Sequence, residues 1–298
     1  MNFNTLAAID IGSNAIRLLI NNVENNGDVT EFKKVAFLRV PIRLGEDTFS
    51  TGVIGESKFI RLNEAMMGFT HIMRAYKVSN FMACATSAMR DAENGAEIIE
   101  LILQNSGINI NIINGKEEAE YIFEAGGLNS VMDKSQNYLY VDVGGGSTEV
   151  IIYSNQQKIE SQSFQIGTVR MLAGGVKEKE KEAFKEWLKE TYKKYKPQGI
   201  IASGGNINKI HKVLGKLEKE PLKYEEINDL YKTLSKMSND ERMLEFKLNA
   251  YRSDVIIPAL KIFLTVGKIC KINEIFVPKV GLVDGIIHQL YSKQTDII

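Results

Sequence analysis

The most informative segment for the fold is Asp142-Val-Gly-Gly-Gly-Ser-Thr-Glu-Val-Ile-Ile152, which follows the apolar run Tyr138 to Val141. A short apolar run that ends at a glycine-rich turn is typical of a buried strand. Consecutive glycines expose backbone N–H groups and let a phosphate approach the main chain closely. This pattern predicts a phosphate-binding turn after a buried strand. The candidate ligands are Gly144, Gly145, Gly146, Ser147 and Thr148.

The same pattern occurs earlier in the chain. Asp10-Ile-Gly-Ser-Asn-Ala-Ile-Arg-Leu-Leu-Ile20 aligns without gaps on Asp142 to Ile152, at an offset of 132 residues. An offset of about one domain length predicts a duplicated strand–turn–strand unit, one per domain. Chance similarity between two buried hairpins is the open alternative. The candidate ligands of the second turn are Gly12, Ser13, Asn14 and Arg17, and Arg17 occupies the position that Glu149 has in the repeat.

Apolar periodicities along the rest of the chain alternate between those of strands and those of helices, which predicts an α/β protein. A length of 298 residues suits two cores. Strands are predicted at 6–9, 16–20, 29–40, 81–85, 108–113, 138–141, 159–166, 199–202 and 274–277. Helices are predicted at 55–76, 96–104, 117–125, 177–196, from about 207, 224–237, 253–270 and 283–291.

The composition excludes several classes of protein. The formal net charge is zero, so the chain lacks the overall positive field of a nucleic-acid-binding protein. The longest apolar stretch, 255–266, contains Pro258 and Lys261 and is too short to span a bilayer. Residues 1–5 lack the pattern of a signal peptide. We therefore expect a cytoplasmic protein without membrane or nucleic-acid partners, in which Cys84 and Cys270 are small core residues.

Other segments offer candidate site residues. Asp142 ends a strand, where its carboxylate can bind Mg²⁺, and Asp10 is the matching candidate ligand in the repeat. Arg90, after the strand at 81–85, can contact a phosphate. The turn Ser203, Gly204, Gly205 precedes a helix and can bind an anion, although a plain strand–helix turn is equally compatible with the sequence. Glu117 and Glu118 start a helix, where acids complementing the helix dipole are the favoured interpretation.

Five blocks together resemble the exopolyphosphatase / guanosine pentaphosphate phosphohydrolase family. The blocks occur in order at 8–18, 85–90, 115–119, 142–149 and 202–205, and the similarity extends from about residue 6 to 285. The resemblance implies a duplicated ribonuclease-H-like fold of the actin-like ATPase superfamily, with a cleft between two domains. The expected domains are 1–120 plus about 284–298, and 121–283. A homodimer is expected by analogy alone.

The resemblance also implies roles for individual residues. Glu118, before Ala119 in the Gly-Lys-Glu-Glu-Ala block, matches the catalytic base. Asp142 and Glu149 match acids linked to the metal, Mg²⁺ or Mn²⁺, and to the attacking water. Gly144 to Thr148 match the phosphate loop, and Arg90 matches an arginine that contacts phosphate. Val283 occupies a position where members often have arginine.

These features predict a hydrolase that releases the terminal phosphate of inorganic polyphosphate. Larger members continue into a C-terminal helical region, so short chains are the expected substrates here. Guanosine pentaphosphate (pppGpp) is the alternative substrate, because it ends in the same phosphoanhydride. A kinase of the same fold and a non-catalytic phosphate or nucleotide sensor are more distant alternatives.

Overall fold

The computed structural model of the protein describes residues 4–25, 27, 29–125 and 132–295. The chain divides into two compact units. Unit 1 comprises Met1–Ala125 and Gly281–Ile298, and unit 2 comprises Gly126–Val280. Each unit contains one mixed sheet with helices, and each is described separately below.

Unit 1 contains a five-stranded sheet in the order β3-β2-β1-β4-β5. The first three strands form an antiparallel meander, and β4 and β5 then add in parallel to β1. From Leu6 to Ile11 every residue of the central strand β1 is buried, as expected for a strand that is covered on both faces. The strands are β1 (Asn4–Ile11), β2 (Ile16–Asn25), β3 (Thr30–Val40), β4 (Asn80–Ala85) and β5 (Ile110–Ile112).

The helices of unit 1 pack against this sheet. In the longest, α2, the buried residues Leu62, Met66, Phe69 and Met73 recur at steps of three and four and form one apolar face. Helix α4 ends at Gly107, whose φ of 73° is the left-handed conformation that favours glycine. The helices are α1 (Leu44–Thr51), α2 (Glu56–Ala75), α3 (Ser87–Asp91), α4 (Gly95–Ser106), α5 (Gly115–Glu124) and the last helix of the chain, α13 (Leu282–Thr295).

Unit 2 contains a six-stranded sheet in the order β10-β11-β9-β6-β7-β8. Strands β6, β7 and β8 form an antiparallel meander, and β9 and β11 add in parallel to β6. The short edge strand β10 pairs antiparallel with β11. The strands are β6 (Asn137–Val143), β7 (Thr148–Ser154), β8 (Gln157–Phe164), β9 (Gly199–Ser203), β10 (Leu222–Lys223) and β11 (Glu274–Phe276).

Seven helices are described in unit 2, and their apolar faces complete its core. Phe184 and Leu188 of α7 and Phe263 of α12 pack in one cluster with Val141 and Ile200 of the sheet. The helices are α6 (Thr168–Leu172), α7 (Glu178–Tyr195), α8 (Gly205–Val213), α9 (Tyr224–Ser235), α10 (Asn239–Phe246), α11 (Ala250–Ser253) and α12 (Ile256–Ile269). Among the described helices, none combines the length and the apolarity that a membrane crossing requires.

The two sheets have the same connectivity. The order β8-β7-β6-β9-β11 repeats the order β3-β2-β1-β4-β5, with the same parallel and antiparallel neighbours. In both units a meander of three strands leads into a short helix, α1 in unit 1 and α6 in unit 2. The predicted α/β fold with two ribonuclease-H-like units is therefore confirmed, and chance similarity of two hairpins does not account for it.

Several elements lie outside the predicted ones or begin elsewhere, among them the short helices α3 and α6 and strand β10. Helix α1 lies in a segment for which no element is predicted, and it begins after Arg43 without a side-chain cap that could signal a helix start. Helix α10 was missed although Ser238 and Glu241 form a capping box at its start. The helix predicted at 253–270 begins at Ile256, because Asp254 accepts a hydrogen bond from the Val255 N–H and ends the preceding turn.

Candidate active site

The predicted phosphate turn lies between β6 and β7. Asp142 pairs across the sheet with Glu149, and Val143 pairs with Thr148. The Gly144 N–H donates to the carbonyl oxygen of Ser147 at 3.0 Å and closes the turn. Directly opposite residues of an antiparallel pair project from the same face of a sheet. The two carboxylates therefore lie side by side at the base of the glycine turn.

The residues that follow β8 hold the back of this turn. The N–H of Thr168 donates to the Gly144 carbonyl at 3.0 Å, and the N–H of Val169 donates to the Gly145 carbonyl at 2.8 Å. The side chain of Arg170 donates from Nε to the Gly146 carbonyl at 2.7 Å. These bonds involve the carbonyl groups of the turn and none of its N–H groups.

Gly167 makes this close approach possible. A Cβ atom at this position would lie 2.4 Å from backbone atoms of Gly146 and 2.5 Å from the carbonyl carbon of Gly145. Those distances are too short for any side chain. Sequence reasoning missed both Gly167 and Arg170, and the signal that could have found them is the repeat of the three-stranded meander followed by a helix.

Thr148 and Ser203 use their hydroxyls within unit 2. Thr148 Oγ1 donates to the carbonyl of Ile166 at 2.5 Å, and Ser203 Oγ lies 2.6 Å from the hydroxyl of Tyr140. Both residues are buried. Because Thr148 donates its hydroxyl hydrogen to Ile166, phosphate binding at Thr148 would depend on the main chain.

Gly204 brings the start of α8 next to Asp142. Its φ of 110° is a conformation that L side chains rarely adopt, and a Cβ there would lie 3.1 Å from Asp142 Oδ1. Ser203, the residue before it, pairs in parallel with Asp142 in the sheet. The two glycine-rich turns of unit 2 that the sequence predicted as anion sites are thus adjacent.

Asp142 and Glu149 offer the chemistry that a hard divalent cation requires. Both are buried, and a carboxylate oxygen of one lies within 4.8 Å of a carboxylate oxygen of the other. Ser163 Oγ donates to Glu149 Oε1 at 3.0 Å and helps to orient that side chain. Oxygen ligands suit Mg²⁺ and Mn²⁺. The donor set of these two residues therefore fits the expected metal.

The matching turn of unit 1 has different chemistry. Asp10 pairs across the sheet with Arg17, and the two side chains form an ion pair. The Gly12 N–H donates to the Ala15 carbonyl at 3.2 Å, as in the turn of unit 2. Ser13 Oγ lies 3.0 Å from Ser87 Oγ, and Asn14 accepts a main-chain bond from Arg43 at 3.1 Å. Here the buried acid has a cationic neighbour instead of a second acid.

Helix α5 distinguishes the two adjacent glutamates. Asn114 caps the helix, and Glu117 accepts a hydrogen bond from the Asn114 N–H at 2.8 Å, which completes a capping box. The Glu118 side chain has no part in this box, although its N–H donates to the Asn114 carbonyl within the helix. Both glutamates lie in the first turn, where acids complement the helix dipole, and Glu117 is the one that completes the capping box.

Arg90 lies in helix α3, which follows strand β4. Its NH1 atom donates to the carbonyl of Ile113 at 3.0 Å, and its Nε atom lies 3.4 Å from Asp91. These contacts anchor the guanidinium one residue before the cap of α5. Its expected contact with phosphate stays a prediction.

The start of α13 explains the sequence Gly281-Leu-Val-Asp-Gly285. Asp284 accepts a hydrogen bond from the Gly281 N–H at 3.0 Å, and Val283 is buried. A Cβ at Gly285 would lie 2.0 Å from the Tyr121 carbonyl, so this glycine allows α13 to pack closely on α5. The valine therefore occupies an apolar position in unit 1.

The fold and the turn of unit 2 together define a class: a duplicated α/β protein with a glycine loop whose N–H groups and flanking carboxylates suit phosphate and a divalent cation. Comparison with known proteins identifies the family. Residues 20–294 match the model of the Ppx/GppA phosphatase family, and the chain belongs to that family. This result confirms the family resemblance and the expected enzyme class, a phosphatase-type hydrolase.

Related sequences carry several names. A putative exopolyphosphatase of Haemophilus influenzae is 24% identical, over 97% of this chain and 92% of the relative. Exopolyphosphatase 2 of Mycobacterium tuberculosis is 31% identical, over 56% of this chain and 53% of the relative. A bifunctional 3-dehydroquinate synthase/phosphatase of Fusobacterium nucleatum is 34% identical, over 63% of this chain but only 30% of the relative.

Solved structures agree on the fold. An exopolyphosphatase from Cytophaga hutchinsonii has a TM-score of 0.84 at 23% identity, with 97% of this chain and 98% of that chain covered. The Aquifex aeolicus member of the Ppx/GppA family has a TM-score of 0.77 at 24% identity, with 98% and 99% covered. At these identities the similarity establishes the fold.

Proposed function

We propose that this protein hydrolyses the terminal phosphoanhydride bond of inorganic polyphosphate and releases orthophosphate. The observation that carries the proposal is the loop Gly144–Gly146, which has its carbonyl groups bonded to the segment 168–170 and two buried carboxylates at its base. Similarity to proteins named exopolyphosphatase supports the same substrate class.

The loop is suited to bind the terminal phosphate through its N–H groups. In a trans peptide the C=O and the N–H point in opposite directions. Bonds to the carbonyls of Gly144, Gly145 and Gly146 therefore direct the N–H groups of the next residues to the other side of the loop. Successive N–H groups on one side of a glycine-rich loop are typical of phosphate sites. In this proposal Gly12 to Asn14, Arg17, Arg90 and the turn at Ser203–Gly205 contact other phosphate oxygens.

Asp142 and Glu149 would hold the divalent cation, with Asp10 as a further candidate ligand. When bound, the cation supplies neutralisation of the negative charge on the phosphate oxygens. The side chains themselves contribute fixed orientation, because both are buried and belong to paired strands.

We assign the general base to Glu118. It accepts a proton from water while the water oxygen forms a bond to the terminal phosphorus, and the bond from that phosphorus to the bridging oxygen breaks. The shortened polyphosphate leaves with the bridging oxygen. Positioning and charge stabilisation supply most of the catalysis in such phosphoryl transfers.

The test of Glu118 uses its neighbour as a matched control. Glu118→Gln should lower kcat for phosphate release from tripolyphosphate by about 10³-fold, the scale of general-base catalysis, with little change in KM. In Glu117→Gln the amide oxygen can still accept the Asn114 N–H bond of the capping box, so this variant should keep nearly wild-type stability and a kcat within a few-fold of wild type. Near wild-type kcat in Glu118→Gln would exclude it as the base.

The substrate is tested by kcat/KM on tripolyphosphate, long-chain polyphosphate and pppGpp, each with Mg²⁺ and with Mn²⁺. We expect the polyphosphates to be the better substrates. A higher kcat/KM for pppGpp would identify the guanosine nucleotide, and not polyphosphate, as the preferred substrate. Phosphate binding without release from any of the three would identify a sensor.

A further inference from the structure

We propose that Arg170 is a positioning residue of the phosphate loop. It holds the Gly146–Ser147 peptide so that the Ser147 N–H points toward the bound phosphate and is a stronger hydrogen-bond donor to it. The inference rests on the proposed function, in which this loop binds the terminal phosphate.

The contacts of Arg170 with the loop come from both its main chain and its side chain. Its N–H donates to the Gly145 carbonyl at 3.0 Å, and its Nε donates to the Gly146 carbonyl at 2.7 Å. The residue is 7% exposed, so its guanidinium lies buried behind the loop. Burying a charged group is unfavourable unless polar partners compensate for it, and the Gly146 carbonyl is one such partner of this guanidinium.

The geometry of the peptide group links these contacts to the opposite side of the loop. Each carbonyl that accepts a bond belongs to the same peptide as the N–H of the following residue. Acceptance by the C=O polarises that N–H and makes it a better donor, and a charged donor does so most strongly. The guanidinium on the Gly146 carbonyl therefore acts on the Ser147 N–H, and its charge also favours an anion at the loop.

Gly167 supports the same arrangement independently. Its Cβ position lies 2.4 Å from Gly146 backbone atoms, so the segment that carries Arg170 can reach the loop only with glycine here. In unit 1 main-chain N–H groups make the matching contacts to the turn: Gly45 N–H to the Ser13 carbonyl at 2.9 Å and Arg43 N–H to the Asn14 carbonyl at 3.1 Å. In unit 2 a side-chain contact from Arg170 is added to such main-chain contacts.

A matched control is available in unit 2. Arg242 also binds main-chain carbonyls, those of Leu234 at 2.8 Å and Ser253 at 2.9 Å, but neither belongs to the phosphate loop. Arg170→Gln and Arg242→Gln both remove a guanidinium from carbonyl oxygens. They differ in whether the phosphate loop loses its partner.

The experiment measures kcat and KM for tripolyphosphate, the affinity for orthophosphate by calorimetry, and the melting temperature of each variant. We expect Arg170→Gln to bind orthophosphate about 10-fold more weakly and to lose about 50-fold in kcat/KM, part of it in kcat. Arg242→Gln should stay within about 2-fold in both quantities, even where its melting temperature falls as much. Equal phosphate affinity in the two glutamine variants overturns the inference.

Two further readouts keep the test decisive. If Arg170→Gln does not fold, Arg170→Lys and Arg242→Lys replace the pair. The lysine keeps a charge but not the planar donor, so we expect about 5-fold weaker orthophosphate binding in Arg170→Lys alone. If wild type binds orthophosphate but releases none from any polyphosphate, the proposed function fails while the phosphate affinities still decide the role of Arg170.

Discussion

The turns that follow β1 and β6 have the same backbone and different chemistry. In both turns a glycine N–H donates to the carbonyl oxygen of the residue three positions later. In both, the aspartate two positions before that glycine pairs with a charged residue on the next strand: Asp10 with Arg17, and Asp142 with Glu149. The pair in unit 1 is a carboxylate with a guanidinium, and the pair in unit 2 is two carboxylates. A duplicated frame thus carries a neutralised pair in unit 1 and a pair suited to a cation in unit 2.

The register of each sheet determines which two side chains lie side by side. The residue types at those two positions determine the chemistry of the pair. Opposite charges stabilise one another directly, as in Asp10 with Arg17. Two neighbouring carboxylates repel one another unless a proton or a cation intervenes. Asp142 and Glu149, two candidate ligands of the predicted metal, therefore lie together in unit 2, and the role of Asp10 as a metal ligand stays a prediction.

The largest expected effect comes from changing the partner residue in each turn. Glu149→Gln should lower kcat on tripolyphosphate by about 10³-fold and raise the Mg²⁺ concentration for half-maximal activity, because one carboxylate of the cation site is lost. Arg17→Gln should raise KM by about 10-fold with a smaller change in kcat, because it removes a positive charge that would contact phosphate. Rates measured across a Mg²⁺ titration provide both quantities.

Circular dichroism at the assay temperature serves as the control for folding in that pair. A change in the Mg²⁺ concentration for half-maximal activity in Arg17→Gln, but not in Glu149→Gln, would contradict this difference between the turns. The cation site would then belong to the turn of unit 1.

An intermediate effect is expected from adding a methyl group at the glycine behind each turn. Gly167→Ala places Cβ against main-chain atoms of Gly145 and Gly146, which cannot move without distorting the loop, and should cost about 3 kcal/mol. Gly45→Ala meets the ring of Phe49, a side chain that can rotate, and the Cβ atom of Ser13 at 2.9 Å, which cannot, and should cost about 2 kcal/mol. Thermal unfolding of both variants measures the difference, and equal losses would show that the two turns are braced equally tightly.

The smallest effect concerns the two buried thiols, one in each unit. Burial raises the pKa of both Cys84 and Cys270 to about 12, and Asp10 adds to the shift at Cys84. Both thiols should therefore resist alkylation at pH 8 until the protein unfolds. Each thiol has a higher pKa in the folded protein than in the unfolded chain. The contribution of the buried thiols to the free energy of unfolding is therefore complete below pH 9 and is lost as the pH rises toward about 12.

Mass spectrometry after brief exposure to iodoacetamide locates the modified cysteine. We expect Asp10→Asn to raise the reactivity of Cys84 slightly and to leave Cys270 unchanged. Rapid labelling of either thiol in the native wild-type protein would contradict the burial of that residue.

Much of the fold was predictable because its signals are local. Apolar runs such as 138–141 and 199–202 correspond to β6 and β9, and the repeat of Asp10 and Asp142 predicted the duplication. The start of α1 was not predictable, because its cap residue Arg43 has no capping side chain and adopts a left-handed φ of 62°. Its start is determined by main-chain bonds to the turn of unit 1, which are contacts between distant residues.

The sequence predicted which segments are candidates for phosphate binding and which acids accompany them, because glycine spacing and strand ends are local properties of the chain. How these residues come together depends on the tertiary structure. It paired Asp142 with Glu149 but Asp10 with Arg17, engaged Glu117 in a helix cap beside Glu118, and brought Gly167 and Arg170 behind the loop at Gly144 to Gly146. The physical reason is that strand register and helix packing join residues that the sequence separates.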